Sequence, residues 1–160
     1  MNLSPRAQVI SIIIVSFIFG VGYNAVRTES LSLLYQKPVE RTVEEVDSLL
    51  RETTILSVPE YINLESAKEM YDRGIIFIDA RDEEEFAEGH IKGAILAPST
   101  PELVQLFPDR SSPIVTYCSG GDCDVSMELA EQLMFDWEYE RIFVYLGGWP
   151  EWKAKGYPTH

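Results

Sequence analysis

The stretch IIFIDARDEEEFAEGHIKGAILAP, residues 75–98, holds two apolar runs separated by an acidic one. IIFIDA (75–80) is apolar without alternation and has the length of a strand, the pattern expected of a strand covered on both faces. DEEEFAEGH (82–90) reads as a short acidic helix, and AILAP (94–98) as a second short strand. Strand, helix and strand in immediate succession form the unit from which parallel sheets are built.

The same alternation extends outward. Upstream, residues 60–63 read as a short opening strand and LESAKEMYDRG (64–74) as a helix ending at Gly74. Downstream, PELVQLF (101–107) reads as a helix and PIVTYC (113–118) as a β-rich run ending on a cysteine. DVSMELAEQLMF (124–135) is an amphipathic helix with Val125, Leu129, Leu133 and Met134 assigned to its apolar side. RIFVYL (141–146) is the last strand, and PEWKAKG (150–156) a terminal helix with Pro150 near its start. The fold class is α/β, with a mostly parallel sheet flanked by helices.

The N-terminus is of another kind. AQVISIIIVSFIFGVGYNAV (7–26) carries no charge and is bracketed by Arg6 and Arg27. As a helix it spans roughly 30 Å, a bilayer's hydrocarbon thickness. It is read as a retained single-pass transmembrane anchor. A cleaved signal peptide is the alternative, but no A-x-A pattern follows the run. The flanking charges nearly balance, and the short N-terminal tail favours a signal anchor with the soluble domain on the periplasmic side in a bacterium. Residues 27–58 are a polar connector in which Val39, Val43, Val46 and Leu50 form a helical stripe, suited to packing on the domain or to dimerisation. The soluble domain is placed at 59–160.

The chain has 160 residues and a formal net charge of −13. That excess of acid excludes nucleic acid as a partner, because phosphates demand basic side chains. Membrane contact therefore rests on the apolar segment. Cys118 and Cys123 are the only cysteines, and the histidines His90 and His160 lie far apart, so neither a disulfide framework nor a metal site is expected.

Cys118 stands where a parallel sheet places its chemistry, at the carboxyl end of a strand. The glycines of CSGGDCD (118–124) permit a tight loop whose backbone N–H groups can form an anion-binding nest, and a helix begins just after. Both features favour the thiolate, the nucleophilic form. By position alone Cys118 is either a covalent catalyst or an inert buried thiol.

IDARDEEEFAEGHIKGA (78–94) resembles the rhodanese signature D-x-R…E-F…G-H-I-x-G-A through Asp79, Arg81, Glu85, Phe86, Gly89, His90, Ile91, Gly93 and Ala94, with Lys92 where the family usually has proline. YLGGWPEWKAKGYP (145–158) resembles the family's C-terminal G-G-W-x-x-W-x-x-x-G-x-P motif, including Gly148 and Trp149. YCSGGDCD lies between them, where the family keeps its active cysteine. The resemblance covers residues 60–158 and identifies a single-domain rhodanese-like fold.

The resemblance implies that Cys118 takes sulfane sulfur from a donor, holds it as a persulfide and passes it to a thiophile such as cyanide or a thiol. It implies that the backbone of Ser119, Gly120, Gly121, Asp122, Cys123 and Asp124 cradles the sulfur or an anion. Asp79, Arg81, His90, Gly148 and Trp149 are read as structural, with Arg81 pairing acidic neighbours and His90 satisfying a turn. No cofactor is implied. The expected partners are a small sulfur donor and a protein thiol acceptor.

The loop departs from the family pattern in having no basic residue between Arg110 and Arg141. Asp122 and Asp124 beside the thiol would raise its pKa and repel thiosulfate; Asp124 is alternatively a helix cap. Related phosphatases close their loop with an arginine, whereas Cys123 or Asp124 stands here, so phosphatase activity is not expected. Cys123 is a candidate resolving thiol. The leading reading is a membrane-tethered sulfurtransferase; the alternatives are a non-catalytic binding module and a Cys118/Cys123 dithiol redox protein.

Overall fold

In the computed structural model, residues 4–26, 38–52, 54–97, 100–121 and 123–160 are described. They fall in two units, one holding residues 4–26 and the other the described residues between 38 and 160. In the first, helix α1 (Pro5–Val26) is long and apolar enough to cross a membrane, and none of its Pro5–Tyr23 span is buried within the protein. Phe17 and Phe19 are both about 70% exposed, so this helix lacks the protein-facing stripe of a soluble core helix.

The second unit is built on five parallel strands: β1 (Glu60–Ile62), β2 (Ile76–Asp79), β3 (Ile95–Leu96), β4 (Ile114–Tyr117) and β5 (Ile142–Tyr145), in the order β1-β5-β4-β2-β3. Every residue of β4 and β5 is buried, which is why these strands read as unbroken apolar runs. The helices are α2 (Val43–Arg51), α3 (Leu64–Asp72), α4 (Glu83–Glu88), α5 (Thr100–Leu106), α6 (Val125–Glu131) and α7 (Gly148–Ala154). Trp152 of α7 is fully buried and meets Tyr71, Phe77, Tyr145 and Tyr157 at ring-centroid distances of 5.1–6.3 Å, while its Nε1–H donates to the Pro158 carbonyl.

Residues 38–58, read from sequence as a connector, share this unit with 59–160. Val46 is buried, and buried Arg141 donates to the Leu49 and Leu50 carbonyls, satisfying the end of α2. Val39 is exposed and precedes the helix, so it is not part of the packed stripe. Arg27 and Lys37 lie outside the described residues.

The helix expected over 124–135 differs in phase from its sequence reading. α6 passes into a π-helical segment, Gln132–Asp136. The difference lies before that segment, at the start of α6, where the small residues Ser126 and Ala130 and not Val125 face the sheet. The buried face runs through Ser126, Ala130, Leu133 and Met134, while Val125 points to solvent.

Candidate active site

Strand order defines the place where a site can form. From β2 the chain moves to β3 on one side; from β4 it moves to β5 on the other. The connections diverge between the carboxyl ends of β2 and β4, the switch point at which open parallel sheets bind ligands. β2 ends there on Asp79 and β4 is followed there by Cys118.

Cys118 is 2% exposed. Its Sγ lies 3.3 Å from the Cys123 carbonyl oxygen and accepts a hydrogen bond from the buried Ser126 hydroxyl, also at 3.3 Å. The loop folds back because Gly120 (φ 74°) and Gly121 (φ 66°) are consecutively left-handed, a conformation that disfavours side chains. Cys118 and Cys123 are joined as a disulfide, with Cα atoms 6.5 Å apart. Ser119 Oγ donates to Glu85 Oε1 at 2.7 Å, tying the loop to α4. Asp124 occupies the N-cap of α6 but makes no side-chain capping bond; its carbonyl accepts from Met127 and Glu128. Asp122 lies outside the described residues.

The C-terminal motif forms one wall of the loop. Trp149 N–H donates to the Cys118 carbonyl at 2.9 Å. Gly148 is left-handed (φ 59°), and a Cβ there would overlap the Cys118 carbonyl and lie 2.6 Å from Gly120 N. Only glycine lets the two backbones approach this closely.

Below the site, the Asp79 carboxylate accepts from the Arg81 backbone and guanidinium, at 2.6–3.1 Å, and the Tyr117 hydroxyl accepts from the Ile91 N–H. Arg81 also donates to the Gly89 carbonyl, and its guanidinium lies 5.4 Å from the Trp149 ring centre. Burial acts to lower the Arg81 pKa, but the hydrogen bonds and charge of Asp79 outweigh it and hold the group above its ordinary value. Burial, reinforced by Asp79, raises the Tyr117 pKa. Arg81 is thus engaged away from the cysteine.

His90 stacks on Phe86 at 3.7 Å, and its Nδ1 lies 3.0 Å from the Phe86 carbonyl, which requires the proton on Nδ1. His160 N–H donates to the His90 carbonyl and Lys92 N–H to that of Pro158. The Arg81–His90 segment and the C-terminus are therefore docked on each other beside Cys118. Among the described residues, no group of three or more His, Cys, Asp or Glu side chains is arranged to hold a metal. Ser126 and the Glu85–Ser119 link were not singled out by sequence reasoning.

Comparison with known proteins gives a consistent result. Residues 63–155 match the family described as Rhodanese-like domain. The chain is 26% identical over 98 residues to the thiosulfate sulfurtransferase GlpE of Coxiella burnetii, covering 61% of this chain and 88% of that protein. It is 33% identical over 92 residues to the thiosulfate sulfurtransferase GlpE of Haemophilus influenzae, covering 57% and 85%. A thiosulfate sulfurtransferase from Pseudomonas aeruginosa shares the fold, with a TM-score of 0.52 at 18% identity over 70% of this chain and 21% of that one.

Proposed function

The chain belongs to the rhodanese-like domain family of sulfurtransferases, and from that premise we propose that it is a membrane-tethered sulfurtransferase carrying sulfane sulfur as a persulfide on Cys118. The observation carrying this reading is the position of Cys118 Sγ, at the switch point of the sheet with the Ser126 hydroxyl donating to it. A hydrogen bond to sulfur favours the thiolate over the thiol. The Cys118 thiolate attacks the outer sulfur of the donor; a Cys118 S–S bond forms, the donor's own sulfur bond breaks, and the electron pair leaves with the donor remnant. A thiol acceptor then takes the outer sulfur and restores the thiolate.

The absence of basic residues from 111 to 140 argues for a donor other than thiosulfate, such as a persulfide on another protein. The α1 segment supports tethering through its length and its exposed apolar surface. The test is release of sulfinate from benzenethiosulfonate by the reduced full-length chain in detergent. About one equivalent per chain is expected, and none from Cys118→Ser. Equal release from Cys118→Ser would overturn the reading. The alternative of a binding module predicts no release from either protein.

A further inference from the structure

We propose that Cys123 resolves the Cys118 persulfide, so that the chain is a sulfide-releasing persulfide reductase that uses an external dithiol as its source of electrons. This rests on the reading of Cys118 as a persulfide carrier and adds the fate of the sulfur.

The two cysteines are joined as a disulfide, and the 6.5 Å between their Cα atoms lies inside the span that disulfides bridge. The left-handed pair Gly120 and Gly121 produces that return over a separation of only five residues. Closing so short a loop removes little entropy from the unfolded chain, so a stabilising staple is a weak reason for the bond.

The two sulfurs differ in access. Cys118 is 2% exposed, whereas Cys123 is half-buried. An external thiol reaches the inner sulfur of a Cys118 persulfide poorly, though it can take the outer one; a thiol on the same loop is beside the inner sulfur. The surroundings select in the same direction. Asp124 and Glu128 are exposed next to the loop, and anionic acceptors such as sulfite are repelled there. An acceptor built into the chain needs no such approach.

The Cys123 thiolate attacks Cys118 Sγ, the inner sulfur of the persulfide. A bond forms between Cys123 Sγ and Cys118 Sγ, the bond to the outer sulfur breaks, and that sulfur leaves with the electron pair as hydrosulfide. The sulfane sulfur is reduced by two electrons while the two cysteines are oxidised to the disulfide. An external dithiol then attacks the sulfur of the less buried Cys123. Cys118 is expelled as a thiolate, the better leaving group because the Ser126 hydroxyl donates to it. The second thiol of the reductant completes the exchange, leaving Cys118 and Cys123 reduced and the reductant as a disulfide.

The test uses the reduced full-length chain in detergent, free of oxygen and of added thiol, with about one equivalent of benzenethiosulfonate. Wild type is expected to release about one equivalent of sulfide and to end about 2 Da lighter than its reduced form. Cys123→Ser is expected to gain about 32 Da and to release no sulfide until dithiothreitol is added. A wild type that keeps the added sulfur as Cys123→Ser does overturns the proposal. So does a wild type that forms the disulfide without sulfide. A Cys123→Ser protein that neither gains sulfur nor releases sulfinate shows instead that the persulfide reading fails, and the inference with it.

Discussion

Gly148→Ala tests how tightly the C-terminal motif constrains the cysteine loop. Gly148 has φ 59°, where an L side chain costs about 1–2 kcal/mol. The new Cβ would meet backbone on the facing segment, overlapping the Cys118 carbonyl and lying 2.6 Å from Gly120 N. Neither atom is the flexible end of a side chain, so the loop itself must move. That movement breaks the Trp149 N–H bond to the Cys118 carbonyl, worth a further ~1 kcal/mol. The sum is about 2–3 kcal/mol, or roughly 8–12 °C in the melting temperature of a domain of this size. Gly74 supplies the control, being left-handed too (φ 75°) but with nothing within 4 Å of where a Cβ would stand. Gly74→Ala should cost only the conformational part, about 1–2 kcal/mol. The assay is thermal and urea unfolding of residues 38–160, with sulfinate release from benzenethiosulfonate measured on the same proteins. Gly148→Ala should lose both stability and turnover, Gly74→Ala stability alone. If the two substitutions cost the same and both retain turnover, the close approach of Gly148 to Cys118 does not govern the site.

Arg81→Ala leaves the fully buried Asp79 carboxylate without its cation and should cost about 3–5 kcal/mol in urea unfolding; a loss below about 1 kcal/mol would show the pair to be dispensable. Ser126→Ala, made in a Cys123→Ser background, removes the hydrogen bond to Cys118 Sγ, and the pH midpoint of iodoacetamide alkylation should rise by about 1–2 units. An unmoved midpoint would remove Ser126 from the account of thiolate stabilisation. Alkaline stability follows from Tyr117 and Tyr145, whose pKa values are raised first by burial. Their folded-state pKa values exceed the unfolded ones, so their contribution is complete below about pH 10 and is lost as pH rises toward the folded values, at about 2.7 kcal/mol per pH unit for the pair. Tyr145→Phe should lower the slope, to which Tyr139 with its own burial-raised pKa also contributes, by up to about 1.4 kcal/mol per pH unit in urea titrations above about pH 10, and an unchanged slope would refute the assignment.

The parallel sheet was legible because β4 and β5 are buried on both faces and carry apolar residues at every position except Thr116, whose hydroxyl donates to the Ser126 carbonyl. The position of Cys118 at a strand's carboxyl end was legible for the same reason. The phase of the following helix was not. Ser126, Ala130, Leu133 and Met134 recur at an ordinary helical spacing, but Ser126 and Ala130 are small and Val125 is apolar, so hydrophobicity alone put the stripe one residue out of phase at its start. Ser126 escaped notice because a serine in an amphipathic helix reads as solvent-facing; its burial against Cys118 depends on how α6 crosses β4 and β5. The Glu85–Ser119 bond spans 34 residues, and the His90 segment docks on residues 158–160 from still further along the chain. Contacts of this kind are set by strand order, which local periodicity does not encode.

The charge around Cys118 connects the site to its choice of chemistry. Arg81 sits close in sequence to the switch point but is committed to Asp79 and the Gly89 carbonyl beneath Trp149. Glu85 is turned toward Ser119, and Glu128 and Asp136 are exposed along the helix that follows the loop. The side-chain donor observed at the sulfur is the neutral Ser126 hydroxyl. A neutral donor favours one negative charge on sulfur without drawing a second anion from solution. A small dianionic donor would have to approach through acidic side chains; a donor whose charge is dispersed, or which docks as part of a protein, would not. The same argument applies to the acceptor, since a cysteine placed five residues along the loop delivers a nucleophile that never crosses the acidic surface. In the proposed chemistry, low positive charge around the loop and a second thiol within it are parts of one arrangement, in which electrons enter through Cys123 and sulfur leaves as a small anion that the surrounding carboxylates repel outward.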